Sequence, residues 1–170
     1  KAFKLIPDGL CCEFGVQDGR TLIPFAEKLA PRTIYGFDSF EGLPEDWCSM
    51  APKGAFKADP SSQNWPPNVE LVIGLYQQTL LPFLATTDRP VAFAHIDSDL
   101  YSSTKYVLDC LTGHLAKDAV LIFDDIIGDN VYHDHVARAV AEWLTESNYE
   151  FKVIGMRHRS AAIFQINQPG

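Results

Sequence analysis

The chain has 170 residues, enough for one domain with a proper core; 46% are hydrophobic and 21% charged, ordinary for a soluble globular protein. A formal net charge of −8 argues against a nucleic-acid backbone or an anionic membrane as the main partner, and no apolar run reaches the roughly 18–20 residues that span a bilayer. Cys11, Cys12, Cys48 and Cys110 show no C-x-x-C spacing, so the pattern predicts reduced thiols in a cytoplasmic protein rather than a zinc site or a disulfide framework.

The opening "KAFKLIPDG" lacks the apolar h-region and cleavage site of a signal peptide. "GLCCEFGV" (9–16) reads as a first strand, and "GRTLIPFAEKLA" (19–30) as a helix with Leu22, Phe25, Ala26 and Leu29 on one face. "TIYGFD" (33–38) and "VELVIG" (69–74) are the next strands, joined by a Pro-, Ser- and Trp-rich stretch, 41–68. A loop that long is usually functional, so a lid or substrate wall is expected there. "LYQQTLLPFLA" reads as a helix bent or ended near Pro82, and "VAFAHID" (91–97) as the fourth strand. The next helix is predicted to start at Ser102 or Ser103, either able to cap it, with Val107, Leu108, Leu111 and Leu115 on one face.

"AVLIFDD" (119–125) is the fifth strand, and Val136, Val140, Trp143 and Leu144 stripe a helix over 133–147. "YEFKVIGM" and "SAAIFQIN" are separated by too few residues for a crossover helix and are expected to pair antiparallel. The sum is a single α/β domain over 1–170: a doubly wound, mostly parallel seven-stranded sheet, Rossmann-like, with a C-terminal antiparallel hairpin.

In such sheets ligands bind beyond the carboxyl ends of the strands. After the first strand, Gly15 and Gly19 permit a tight turn into the amides of a helix N-terminus, but Gln17 interrupts the G-x-G-x-x-G pattern of a dinucleotide site. Asp38 ends the second strand, where an acid can accept both hydrogens of a ribose diol. Alternatively, the glycines only turn the chain and Asp38 caps a helix. Asp97 ends the fourth strand, while Asp124 and Asp125 end the fifth, its parallel neighbour. Three converging carboxylates repel unless a cation intervenes, and oxygen-only ligation suits Mg²⁺. The competing reading has the "DD" pair capping a loop and Asp97 the next helix.

"EFGV-x-x-G-x-T", "GFDSFEGLP", "HIDSDLYSST" and "LIFDDI" together resemble the macrocin O-methyltransferase family of class I S-adenosylmethionine-dependent methyltransferases, across nearly the whole chain. The resemblance implies a Mg²⁺-dependent O-methyltransferase acting on a small-molecule hydroxyl, that of a sugar or vicinal diol of a natural product, with no nucleic-acid or membrane partner and with homo-oligomeric assembly. By position it implies that Glu13, Gly15 and Thr21, with Gln17 and Gly19 in the same turn, hold the methionine part of S-adenosylmethionine. Asp38 falls at the ribose with Ser39 and Phe40 beside it, and Gly74, Tyr76 and Gln77 fall near the adenine. Asp97 borders the cofactor and, with Asp124 and Asp125, is implied as a metal ligand. The more distant catechol-type enzymes keep a lysine where this chain has Leu100, and the macrocin-type enzymes carry a longer N-terminal region.

In that reaction the sulfonium is already a good leaving group and the acceptor hydroxyl needs activation. Asp97 is the first candidate for the base, Asp99 the second, and His133 or His135 of "YHDH" a third; the bland reading makes these histidines exposed helix-start residues. The rival functions are a non-catalytic, methyltransferase-like nucleoside-binding protein, an NAD-dependent oxidoreductase, and a metal-dependent hydrolase.

Overall fold

A computed structural model of the chain describes residues 2–127, 133–157 and 160–167, excluding the side chains of His133 and Arg157. The strands are β1 (Leu10–Phe14), β2 (Ile34–Asp38), β3 (Val69–Ile73), β4 (Val91–Ile96), β5 (Leu115–Phe123), β6 (Glu150–Arg157) and β7 (Ala161–Asn167). The helices are α1 (Leu22–Leu29), α2 (Tyr76–Leu84), α3 (Tyr101–Leu111) and α4 (Arg138–Ser147). The seven strands form one sheet in the order β3-β2-β1-β4-β5-β7-β6. β1 to β5 run parallel, and β7 is antiparallel to both β5 and β6. The mixed Rossmann-like sheet and terminal hairpin are those expected from the sequence.

The all-buried runs of β1 and β4 mark strands covered on both faces. On one face α2, α3 and α4 bring Leu80, Leu84, Val107, Leu108, Leu111, Val140 and Trp143 into a single cluster with Phe14, Ala94, Leu121 and Phe123. On the other, Leu22, Ala26 and Leu29 of α1 pack with Cys11, Phe93, Val120 and Ile122, helped by Phe3 from a short 3₁₀ turn, Ala2–Leu5. The chain reverses winding direction between β1 and β4, so the connections leaving their carboxyl ends diverge and leave a crevice above two strands that stay paired.

The β2–β3 connection has no α-helix. Its first part folds back as a hairpin, with Leu43 N bonded to Ala55 O, Gly54 N to Leu43 O and Trp47 N to Ala51 O. Its second part is tied to α1: Asn68 Nδ2 donates to the carbonyls of Ala26 and Arg32, both at 2.9 Å. These bonds give an irregular segment the fixed position that a helix would otherwise have.

Several boundaries differ from the sequence expectation. α1 starts at Leu22, and the Thr21 hydroxyl at its N-cap is given to Glu13 instead of to the helix. α2 is the exception: it ends at Leu84, close to Pro82 as expected. α3 starts at Tyr101, and neither Ser102 nor Ser103 caps it. β5 starts at Leu115, its polar "AKD" absorbed in a register shift where Asp118 has φ 61°. The helix expected over 133–147 opens as a π turn, His133–Ala137.

Candidate active site

The crevice is a cavity of about 340 Å³ at the carboxyl ends of β1, β2, β3 and β4. The turn after β1 contributes Gly15, Gln17, Asp18 and Thr21. Gly15 has φ 90°, and a β-carbon there would lie 1.9 Å from the Asp97 carbonyl oxygen, so only glycine lets β1 and β4 close up at this point. Asp38 and Ser39 enter from β2, and Gly74, Tyr76 and Gln77 from the start of α2. Asp97, Asp99 and Asp125 form the far end. Leu43, Trp47 and Phe56 of the long loop make an apolar wall.

Four expected cofactor or metal residues do not line this cavity: Glu13, Gly19, Phe40 and Asp124. Glu13 is completely buried, with Oε1 accepting from Thr21 Oγ1 at 2.7 Å. Gly19 faces Trp65, whose ring would lie 2.6 Å from a β-carbon there. Phe40 is a core residue in a left-handed backbone, φ 58°. Asp38 lines the cavity but also organises it. Its Oδ2 accepts from the amides of Val16 and Gln17, and its Oδ1 from Phe40, all at 2.8 Å.

Asp97, Asp124 and Asp125, the expected metal ligands, lie at the same strand ends, and the Asp124 and Asp125 charges both act on Asp97. Asp97 is shared between two groups, one with Asp99 and Asp125 and one with His95 and Asp124, the ligand atoms within each lying inside 4.8 Å of one another. Asp125 is left-handed, φ 51°, and its amide donates to Asp124 Oδ1 at 3.1 Å. Burial, with the neighbouring carboxylates adding to it, pushes Asp97 up to about 7 and Asp99 up to about 8. For Asp97 the adjacent His95 works the other way. Burial and the Asp124 charge push Asp125 up to about 6. Three crowded oxygen donors destabilised by their own charges fit a hard divalent cation.

The sequence reading missed His95, 2% exposed, whose Nδ1 lies 3.4 Å from Glu13 Oε2, neither atom making a hydrogen bond. Burial lowers its pKa, but Glu13, Asp97 and Asp124 outweigh that and leave it raised. A signal existed. Glu13 and His95 are the only polar residues in "LCCEF" and "VAFAHI", and they stand in register on adjacent strands. Of the candidate histidines, His135 is committed by Nδ1 to the Tyr101 amide at 3.2 Å, while the His133 side chain lies outside the described residues. Leu100, in place of the lysine, is fully buried with Leu43 and Ala51.

A crossed-over parallel sheet with a closing hairpin, a glycine turn after β1, an acid after β2 and a further carboxylate after β4 together define a Rossmann-like methyltransferase. Comparison with known proteins agrees: residues 12–126 match a family described as a methyltransferase domain, and the chain belongs to that family. It is similar to the calicheamicin methyltransferase CalS11, with 25% identity and a TM-score of 0.78, the match covering 96% of this chain and 74% of that one. It shares its fold with the O-methyltransferase NovP (21% identity, TM-score 0.72, 95% and 72% coverage). The fold also occurs in an O-methyltransferase from Bacillus cereus solved with SAH (14% identity, TM-score 0.59, 93% and 73% coverage). No curated protein matches the chain. The family sets aside the oxidoreductase and hydrolase alternatives. Among the described residues no helix is long and apolar enough to cross a membrane.

Proposed function

We propose that this S-adenosylmethionine-dependent O-methyltransferase methylates a hydroxyl of a sugar or vicinal diol in a small natural product, with a Mg²⁺ ion at Asp97, Asp99 and Asp125. The observation that carries the reading is that one cavity joins the glycine turn and Asp38 to this acid cluster. The similarity to CalS11 supports a natural-product acceptor. The buried, unpaired thiols of Cys11, Cys12 and Cys110 support a reducing, cytoplasmic setting. Self-association is carried over from the macrocin-type enzymes as part of the proposal.

In this reading the Val16–Thr21 turn and Asp38 receive the methionine and ribose portions of the cofactor, and Tyr76 and Gln77 border its base. The hairpin carrying Leu43 and Trp47 arches over the cavity as the lid and substrate wall, excluding water and presenting an apolar face to the acceptor. A bound divalent ion would lower the pKa of the acceptor hydroxyl. Asp97 and Asp99, at the far end of the cavity, are the carboxylates placed to take the acceptor's proton. Holding the two reactants in line makes the step effectively unimolecular, worth up to about 7–11 kcal/mol.

The test is transfer of a labelled methyl group from S-adenosylmethionine to a panel of glycosides and catechols, with and without EDTA. Transfer that stops with chelator and returns with Mg²⁺ supports the proposal. Transfer that ignores chelator removes the ion from it.

A further inference from the structure

We infer that His135 is a positioning residue for the acid cluster: it caps α3 and so fixes the β4–α3 loop that carries Asp97 and Asp99. The inference rests on the proposed reading of that cluster as an ion site. The N-cap position of α3 is Leu100, which provides no side-chain cap. Its side chain is fully buried under the 43–55 hairpin against Leu43 and Ala51. Two demands fall on one residue, and packing wins. The missing cap comes from outside, through the 3.2 Å bond from the Tyr101 amide to His135 Nδ1. An imidazole that accepts at Nδ1 is neutral and carries its hydrogen on Nε2.

Tyr101 is gripped at two further points. Its hydroxyl donates to Glu142 Oε2 at 2.6 Å, and the Arg138 guanidinium lies 4.4 Å from its ring centroid. Arg138 and Glu142 are themselves paired at 2.9 Å. The π turn His133–Ala137 brings His135 into the same group, and such turns recur at functional sites. Two residues before Tyr101, Asp99 sits at φ 57°, a conformation that its surroundings must enforce. On the other side of the loop, the Ser98 and Thr104 hydroxyls are bonded at 2.9 Å. His135 therefore links the segment after β5 to the segment after β4, the two that supply the cluster.

A second tie between the same helices offers a control. Lys105 Nζ contacts Asp109 at 2.7 Å and Glu146 at 2.8 Å, further along α3 and α4 from the loop. The experiment titrates Mn²⁺ into adenosylhomocysteine-loaded protein, reading free Mn²⁺ by electron paramagnetic resonance and the melting temperature alongside. His135→Ala is expected to weaken Mn²⁺ about tenfold while keeping adenosylhomocysteine affinity. His135→Asn, whose Oδ1 can accept the same amide, is expected to regain most of it, and Lys105→Met to lower the melting temperature with Mn²⁺ affinity unchanged. If His135→Ala does not fold, His135→Phe keeps a ring at the position but offers the Tyr101 amide no acceptor, and is likewise expected to weaken Mn²⁺ about tenfold. Wild-type protein that binds no Mn²⁺ overturns the ion reading and the inference with it. Unaltered Mn²⁺ affinity in His135→Ala or His135→Phe, or an equal change in Lys105→Met, overturns the inference alone.

Discussion

Gly15 and Asp97 close the ends of β1 and β4 against each other: the Asp97 amide donates to Phe14 O at 2.8 Å, and its carbonyl fills the space a β-carbon on residue 15 would need. The cavity floor thus depends on a missing side chain. Gly15→Ala adds backbone strain and a clash with main chain that cannot swing aside. We expect a loss of about 3 kcal/mol or more, a fall in melting temperature of roughly 6–12 °C, and loss of adenosylhomocysteine binding. Gly54 has a similar φ of 85° with nothing within 4 Å of its added β-carbon, so Gly54→Ala should cost only about 1 kcal/mol and spare binding. Thermal melts and calorimetric titration of both variants separate clash from strain.

The acid cluster predicts how ion-free protein responds to pH. Asp97, Asp99 and Asp125 have folded-state values of about 7, 8 and 6, above the unfolded carboxylate range near 4. The native state therefore binds more protons between those limits, and stability falls as pH rises through them. His95, also raised, adds in the same direction. Melting temperature in EDTA should be highest near pH 5 and several degrees lower at pH 8.5. Mg²⁺ should restore the loss at pH 8.5 and do little at pH 5. Asp99→Asn keeps a residue tolerant of φ 57° and should flatten the profile; an unchanged slope would show that the cluster does not set it.

Leu100 should not tolerate the lysine that catechol-type relatives carry. The position is sealed beneath the 43–55 hairpin, so Leu100→Lys would bury a charge or displace the loop. Limited proteolysis is expected to cut the variant within 43–55 far faster than wild type, with no gain in methyl transfer.

Trp143 ties α4 to the rest of the fold. It is 1% exposed, its ring centroid lies 5.3 Å from that of Tyr149, and its Nε1 donates to Thr112 Oγ1 at 2.9 Å. Trp143→Ala should cost about 3–5 kcal/mol in urea unfolding, while Thr112→Val, which removes the acceptor and the hydroxyl's own bond to Leu108 O, should cost about 1–3 kcal/mol.

The strands were legible because β1, β4 and β5 are apolar runs ending in glycine or aspartate, and β4 beside β5 and the terminal hairpin were expected, whereas the rest of the order came from the structure. The helix starts were less so. Thr21 looks like a cap but serves Glu13, and Leu100 does not look like one yet occupies the N-cap, because tertiary partners outbid local preference at both positions. The acids of the site were readable as residues but not as a set. Adjacent aspartates 124 and 125 are visible in the chain, but nothing in it says that Asp97 is crowded both by Asp99 with Asp125 and by His95 with Asp124. The cavity wall was predicted as a loop, but nothing in its composition says that Leu43 and Trp47 are the residues that line the crevice.

Crystals of the adenosylhomocysteine complex soaked in Mn²⁺ offer the sharpest check. One anomalous peak among the carboxylates of Asp97, Asp99 and Asp125, facing the ligand's sulfur, is the expected result. A peak beside His95 and Asp124 instead, or none at saturating Mn²⁺, would contradict the account.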